Sequence, residues 1–317
     1  MVAIHHFAEI KKICAELDFS AAIEAGFVAY SKGQVVVPPV GELSFPLPPG
    51  DTHIKYGYIK EDDQFVVKIA SGFYDNPKLG LPSNSGLMLV FSQKTGQLQA
   101  ILLDDGYLTD VRTAVAGQIA AKYLGPSEIS RIGVLGTGIQ ARMQVTYLQK
   151  ITPCKEVVVW GRNEANLTRY KDDMSALGFS VKTTRTVQDV AAACNLIITA
   201  TPSQQPLLLA EQVQPGTHIT AMGADTPAKQ ELDSVVFTKA DLVVADSIVQ
   251  CLERGDISKA LNDGLLEPNR IVELGTIICG ERWGRTSDEQ ISIADLTGVA
   301  IQDIQIAKAV CEALEQS

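Results

Sequence analysis

The sequence predicts an α/β fold, in which a Rossmann-type doubly wound parallel sheet is joined to a smaller α+β domain. Three observations predict it. From Arg131 onward, short β-branched runs alternate with helical segments, the pattern of a parallel sheet with crossover helices. The first of these runs, in RIGVLGTGIQARMQ at 131–144, ends in two glycines one residue apart and passes straight into a segment without breakers. The first third of the chain is instead rich in strands joined by turn residues.

The opening MVAIHHFAEIKKICAELDFSAAIEAGF carries apolar residues at helical spacing broken by charges, so a helix is expected and a signal peptide is not. VVVPPVGELSFPLPPG at 35–50 reads as a strand running into a proline-rich loop. HIKYGYI at 53–59 and QFVVKIA at 64–70 read as strands. After a Gly/Pro/Asn cluster at 71–86, LMLVFS at 87–92 and LQAILLD at 98–104 flank a tight turn at 94–96, which gives an antiparallel meander. TDVRTAVAGQIAAKYL at 109–124 is a helix stopped by Gly125-Pro126. The parallel strands follow in EVVVW at 156–160, NLIITAT at 195–201, THITAMGA at 217–224 and DLVVAD at 241–246. The last segment, 301–317, is an amphipathic helix free to return to the first domain. The expected domains are 1–117 with 299–317, and 118–298.

Composition limits the function. The 317 residues carry a net charge of −10, with no basic footprint for nucleic acid and no polybasic segment for a membrane surface. No run approaches the length of a membrane span. The six cysteines are scattered, as expected of reduced thiols in the cytoplasm. The four histidines show no ligand spacing, and no metal is expected.

A glycine corner between a strand and a helix suits a dinucleotide. Gly136 permits the turn, Gly138 lets backbone approach a pyrophosphate, and Ala141 allows close packing of helix on strand. Phosphates then sit on the free N–H groups of the helix N-terminus. Enzymes that use NAD usually end the second strand with an acid that binds the ribose hydroxyls. Here VWGRNEAN at 159–166 places Gly161 there, followed by Arg162 and Asn163. Arg162 is suited to a 2′-phosphate, so the expected cofactor is NADPH, with NADH the weaker alternative. Met222, at the end of THITAMGA, joins the expected cofactor set. Asp225 follows that strand at its carboxyl end, where open α/β sheets place their ligands. Lys68, inside the apolar VVKIA, is costly to bury unless an anion compensates it.

Taken together, VVKIASGFYDNP, GLPS, TDVRTAVAGQIAAKYL, GTGIQA, GADTPAKQELD and DLTG resemble the ornithine cyclodeaminase/μ-crystallin family, in that family's order over most of residues 53–300. The resemblance implies a homodimer whose first domain dimerises and roofs the active site, and a second domain that is the Rossmann unit. It implies that Lys68 and Arg112 are cationic residues at substrate and cofactor. It also implies that Asp225 is the acid at the reacting centre, and that Ser83, Ile139, Gln140, Thr201 and Thr297 line the cofactor or its junction with the substrate. Cyclodeaminase members carry an arginine where this chain has Val40, after the prolines of VPPV. His53 and Lys55 are the expected replacements as carboxylate donors. With Gly161-Arg162, this departure makes the chain most similar to the ketimine reductases of the family. The expected reaction is NADPH-dependent reduction of Δ1-pyrroline-2-carboxylate to L-proline, with the piperideine homologue as a second substrate. An ornithine cyclodeaminase, an alanine dehydrogenase and a μ-crystallin-like binding protein are the alternatives.

Overall fold

The computed structural model describes residues 2–73 and 75–316; Met1, Ser317 and Tyr74 of the FYDNP stretch lie outside the described residues. The chain forms two compact units, Met1–Thr113 with Val299–Ser317, and Ala114–Gly298. The division falls inside the helix Tyr107–Leu124.

The first unit is a seven-stranded sheet. Its strands are β1 (Ala3–His6), β2 (Val35–Val36), β3 (Gly41–Pro46), β4 (Pro49–Ile59), β5 (Gln64–Phe73), β6 (Asn84–Ser92) and β7 (Leu98–Leu103). The order is β1-β7-β6-β5-β4-β2, with β3 also paired to β4; β1 lies parallel to β7 and the other pairs are antiparallel. The expected meander is present as β5-β6-β7, and two details differ from expectation. The segment read as a proline-rich loop is a hairpin, in which Gly41 to Pro46 pair with Ile54 to Pro49. Prolines are tolerated there because Pro46 and Pro49 close the end of the ladder. The opening residues begin as strand β1, and the helices Phe7–Cys14 and Ser20–Ser31 follow.

The C-terminal helix Ala300–Glu315 belongs to this unit and lies on β4, β5 and the helix Ser20–Ser31. Its buried Ala300, Ile304, Ala307 and Cys311 recur at helical spacing and form one apolar face. Gly26 lets the two helices approach closely: a Cβ there would stand 2.8 Å from Gln305 Cγ and 3.0 Å from Ile301 Cγ1. Two polar residues, Gln302 and Asp303, share the buried part of the C-terminal helix.

The second unit is an eight-stranded, wholly parallel sheet. Its strands are β8 (Ile132–Leu135), β9 (Glu156–Trp160), β10 (Ser180–Thr184), β11 (Leu196–Thr199), β13 (His218–Ala221), β15 (Leu242–Ala245), β16 (Ile271–Glu273) and β17 (Ser292–Asp295). A separate short pair, β12 (Gln204–Leu208) and β14 (Gln230–Leu232), lies beside it. The order β10-β9-β8-β11-β13-β17-β15-β16 reverses direction between β8 and β11. That reversal opens a crevice at the strand carboxyl ends, the usual ligand position in such sheets. β8, β11, β13 and β17 are buried throughout, as strands covered on both faces must be. Among the described residues, no helix is long and apolar enough to cross a membrane.

Candidate active site

In the second unit, β8 runs into a turn that glycine alone can make easily. Gly136 has φ +125°, and a Cβ there would stand 2.6 Å from the carbonyl oxygen of Ala200. Gly138 caps the helix Ile139–Leu148, and a Cβ on it would meet nothing within 4 Å. The two glycines therefore have different reasons. Gly136 is fixed by protein contact, whereas the space above Gly138 is open to a ligand approaching the backbone. No side chain caps that helix, so its first N–H groups are available to an anion. Ala141, in the third small position, is wholly buried.

A cavity of about 260 Å³ lies over this corner, lined by Gly136, Gly138, Gly161, Arg162, Asn163 and Thr201. These six expected cofactor residues thus share one wall. A Cβ on Gly161 would stand 2.8 Å from Thr137 Cγ2, so the absent acid has no room at this position. Arg162 is exposed at the cavity, and Asn163 caps the next helix by accepting the Asn166 N–H at 3.1 Å. The fit to a dinucleotide rests on these features: a left-handed glycine turn, uncapped helix N–H groups, and open space above Gly138 where a side chain would intrude. Ile139 is exposed on the first turn of the helix, and Gln140 accepts from Gln144 Nε2 at 3.3 Å. Met222 is buried at the end of β13.

Asp225 stands in the turn after β13, half-buried, and its Oδ1 accepts from Lys229 Nζ at 2.6 Å. Lys229 was not among the expected residues. It is spaced i,i+4 from Asp225 in the same GADTPAKQELD stretch, and no local pattern distinguishes it from a solvated lysine. Thr297 is buried after β17; its hydroxyl donates to Asp246 Oδ1 at 3.0 Å and accepts from Gln250 Nε2 at 2.8 Å. The structure therefore places Thr297 in a polar network of the second unit's interior.

In the first unit, the expected cations come together around a residue that the sequence reading missed. Lys68 Nζ lies 3.1 Å from Asp303 Oδ2 and donates to Asp303 Oδ1 at 3.2 Å. Arg112 Nε lies 3.0 Å from Asp303 Oδ1, and its Nη1 donates to Gln302 Oε1 at 3.0 Å. Lys55 is opposite Lys68 in the β4–β5 register and is buried as well. His53 faces Glu42 instead, with 3.8 Å between Nε2 and Oε1 across the β3–β4 pair. Ser83 lies on the loop before β6, where its carbonyl accepts the Phe73 N–H at 2.8 Å.

The electrostatics follow from burial. Removal from water pushes the Lys68 ammonium down to about 7; the repulsion of Arg112 and Lys55 adds to this, and Asp303 opposes it. Burial acts against the Asp303 carboxylate, but Lys68, Arg112 and Lys55 outweigh it and hold Asp303 below the ordinary carboxylate range. In this buried network the cations Lys68, Arg112 and Lys55 outnumber the single carboxylate of Asp303.

The same shift fixes a sign for pH dependence. Lys68 is an ammonium below about 7 and loses its charge as the pH rises through that value. The KM for an anionic substrate bound here should therefore rise as the pH passes above about 7, and Lys68→Met should remove that rise. A KM–pH profile equally steep in the variant would show that another group titrates. For stability, the folded pKa lies below the unfolded value, so burial of Lys68 costs most below about 7. That cost is relieved between there and the ordinary lysine value of 10.5.

Comparison with known proteins agrees with this architecture. The model of the ornithine cyclodeaminase/mu-crystallin family matches residues 2–317. A putative dehydrogenase of Rhizobium meliloti is 41% identical over 289 residues, covering 90% of this chain and 88% of that protein. An archaeal alanine dehydrogenase, solved as a dimer with bound NAD, superposes with a TM-score of 0.89 at 33% identity, covering 99% of this chain and 96% of that one. Δ1-Pyrroline-2-carboxylate reductase of Thermococcus litoralis, solved with NADH and L-proline, superposes with a TM-score of 0.92 at 26% identity, covering 99% and 98%. With a glycine corner at the switch point of a parallel sheet, a carboxylate beyond β13 and a family match along the whole chain, this protein belongs to the ornithine cyclodeaminase/mu-crystallin family.

Proposed function

We propose that the protein reduces a cyclic imino acid, Δ1-pyrroline-2-carboxylate and also its six-membered homologue, to L-proline or L-pipecolate, with NADPH as donor. The observation that carries this reading is the buried assembly of Lys68, Arg112 and Lys55 around Asp303, in which an excess of cations suits a substrate carboxylate. Val40 stands where cyclodeaminase members of the family carry an arginine, which favours an imine over a diamino acid. A bound nicotinamide supplies the hydride. Lys68 and Arg112 hold the substrate carboxylate and so fix which face of the C=N carbon is offered. Asp225 holds the proton on the ring nitrogen, which makes that carbon electrophilic, and releases Lys229 as it does so.

The test is oxidation of NADPH with a panel of cyclic imino acids, set against ornithine without added reductant. Turnover of the imines alone supports the reading; proline and ammonia from ornithine alone would refute it. A second reading, an alanine dehydrogenase, draws on the archaeal relative's 33% identity, against 26% for the reductase. Alanine with NAD in the same assay separates the two.

NADPH is preferred over NADH in this reading because Arg162 occupies the exposed edge of the glycine cavity and Gly161 leaves no acid to repel a phosphate. Arg162→Ala should raise the KM for NADPH about tenfold, the loss of one charge-assisted contact of roughly 1.5 kcal/mol, and leave that for NADH little changed. Equal effects on both cofactors would remove Arg162 from the 2′-phosphate site. The proposed homodimer is supported by the exposed Leu43, Phe45, Leu47, Tyr56 and Tyr58 on β3, β4 and their hairpin, a surface suited to burial against a second copy. The six free cysteines suit a reducing cytoplasm.

A further inference from the structure

The GADTPAKQELD stretch contains a second acid that the mechanism above does not use. Glu231, on β14, is wholly buried, and its two carboxylate oxygens receive four donors. Oε1 accepts the Thr201 N–H at 2.6 Å and the Thr201 hydroxyl at 2.7 Å. Oε2 accepts the Gly223 N–H at 2.8 Å and the Thr199 hydroxyl at 2.7 Å. Thr201 ends the turn after β11 and lines the glycine cavity, while Gly223 lies two residues before Asp225 in the turn after β13. One carboxylate therefore grips the backbone of both turns.

The surrounding contacts leave little slack. A Cβ on Gly223 would stand 2.2 Å from the Thr201 carbonyl oxygen and 2.5 Å from Glu231 Oε2, so the turns touch backbone to backbone at this point. A Cβ on Gly136 would stand 3.2 Å from Thr201 Cγ2, so the glycine corner rests on the same turn. Glu231 is itself placed from behind: Asp256 Oδ1 accepts the N–H of Glu231 at 2.8 Å and that of Leu232 at 2.9 Å. Two of the four donors are backbone N–H groups, which cannot turn away, so the position demands an acceptor on both sides. A carboxylate provides this and an amide does not, since the NH2 of a glutamine would face one of those N–H groups.

We propose that Glu231 is a positioning residue that couples the cofactor-side turn at Thr201 to the turn carrying Asp225, so that binding of the dinucleotide sets the place of the acid. This deepens the reading above and rests on it for the role of Asp225. The coupling itself is a property of the second unit and can be measured by cofactor binding alone.

The experiment compares Glu231→Gln with the parent in NADPH titration, thermal unfolding and turnover of Δ1-pyrroline-2-carboxylate. The variant should unfold cooperatively, bind NADPH about tenfold more weakly through the displaced Thr201 turn, and turn over at least about tenfold more slowly at saturation. The added effect of Asp225→Asn should be smaller in the Glu231→Gln background than in the parent, because the acid is already out of place. NADPH binding within twofold of the parent, or fully multiplicative losses in the double variant, would overturn the proposal. If Glu231→Gln does not fold, hydrogen exchange of the parent decides: the Thr201 and Gly223 amides should open together and slow together when NADPH is added. Independent exchange of the two amides would overturn the coupling. If the parent reduces no imino acid, the reading of function fails, while the NADPH-binding and exchange results still test the coupling.

Discussion

Asp225→Asn should keep the fold and NADPH binding and lower turnover on the order of a hundredfold or more, the scale of a positioned acid-base group. The substitution keeps the shape of the side chain and an oxygen able to accept from Lys229, so the 2.6 Å contact within the turn has a surviving counterpart. It removes the charge proposed to balance a protonated imine, together with the capacity to exchange a proton. Packing and chemistry are thereby separated in one variant. Were Asp225 only a cap for the turn after β13, asparagine would serve nearly as well. Turnover within a few-fold of the parent, measured at saturating imine and NADPH, would remove Asp225 from the reacting centre.

Lys68→Met should raise the KM for the imino acid by about ten- to a hundredfold, the loss of one charge-assisted contact, and leave NADPH binding unchanged. Methionine approximates the length of the buried stem, and Asp303 keeps Arg112 Nε at 3.0 Å, so the buried carboxylate is not stranded. That matters because stripping a buried charge of its partner costs about 3–5 kcal/mol and would confuse folding with binding. The variant should accordingly unfold near the parent temperature. An unchanged KM would make Lys68 a structural counter-ion of Asp303 and nothing more.

The parts of the fold that were legible share one property: their signal is local. IGVL, EVVVW, LIIT, HITA and LVVA are short β-branched runs between helical segments, and a buried parallel strand has to look like that. β10, read SVKTT, alternates in burial at the sheet edge and carries too little apolar weight to stand out. β17 was hidden for the opposite reason. SIAD is wholly buried, but its Ser292 and Asp295 are made tolerable only by distant partners, such as the Leu124 carbonyl and the Ile257 N–H. The first-unit hairpin was missed because its prolines argue against a ladder until its end positions are known.

The candidate site divides in the same way. Gly136 and Gly138 fall in one short strand–glycine–helix window and Gly161 at the end of the next strand, so their spacing announced them, even though Gly136 itself packs against Ala200 and Thr201 far along the chain. Asp303 acts on Lys68 across 235 positions, which no window of sequence contains. One signal was nevertheless present: a carboxylate among the apolar residues of AIQDIQIAKAV, on the buried face of an amphipathic helix. Glu231 gave a fainter one, an acid inside a three-residue strand, six positions after Asp225 in the GADTPAKQELD stretch.

In the proposed reaction, hydride from the nicotinamide reaches the α carbon of a cyclic imino acid and stays there. The most direct test is a single turnover of Δ1-pyrroline-2-carboxylate with NADPH dideuterated at nicotinamide C4, the product being examined by mass spectrometry and NMR. The expected product is L-proline carrying one deuterium at Cα for each NADPH oxidised. Proline without the label, or no proline from the imine while ornithine is converted without net oxidation of NADPH, would contradict the proposed reaction.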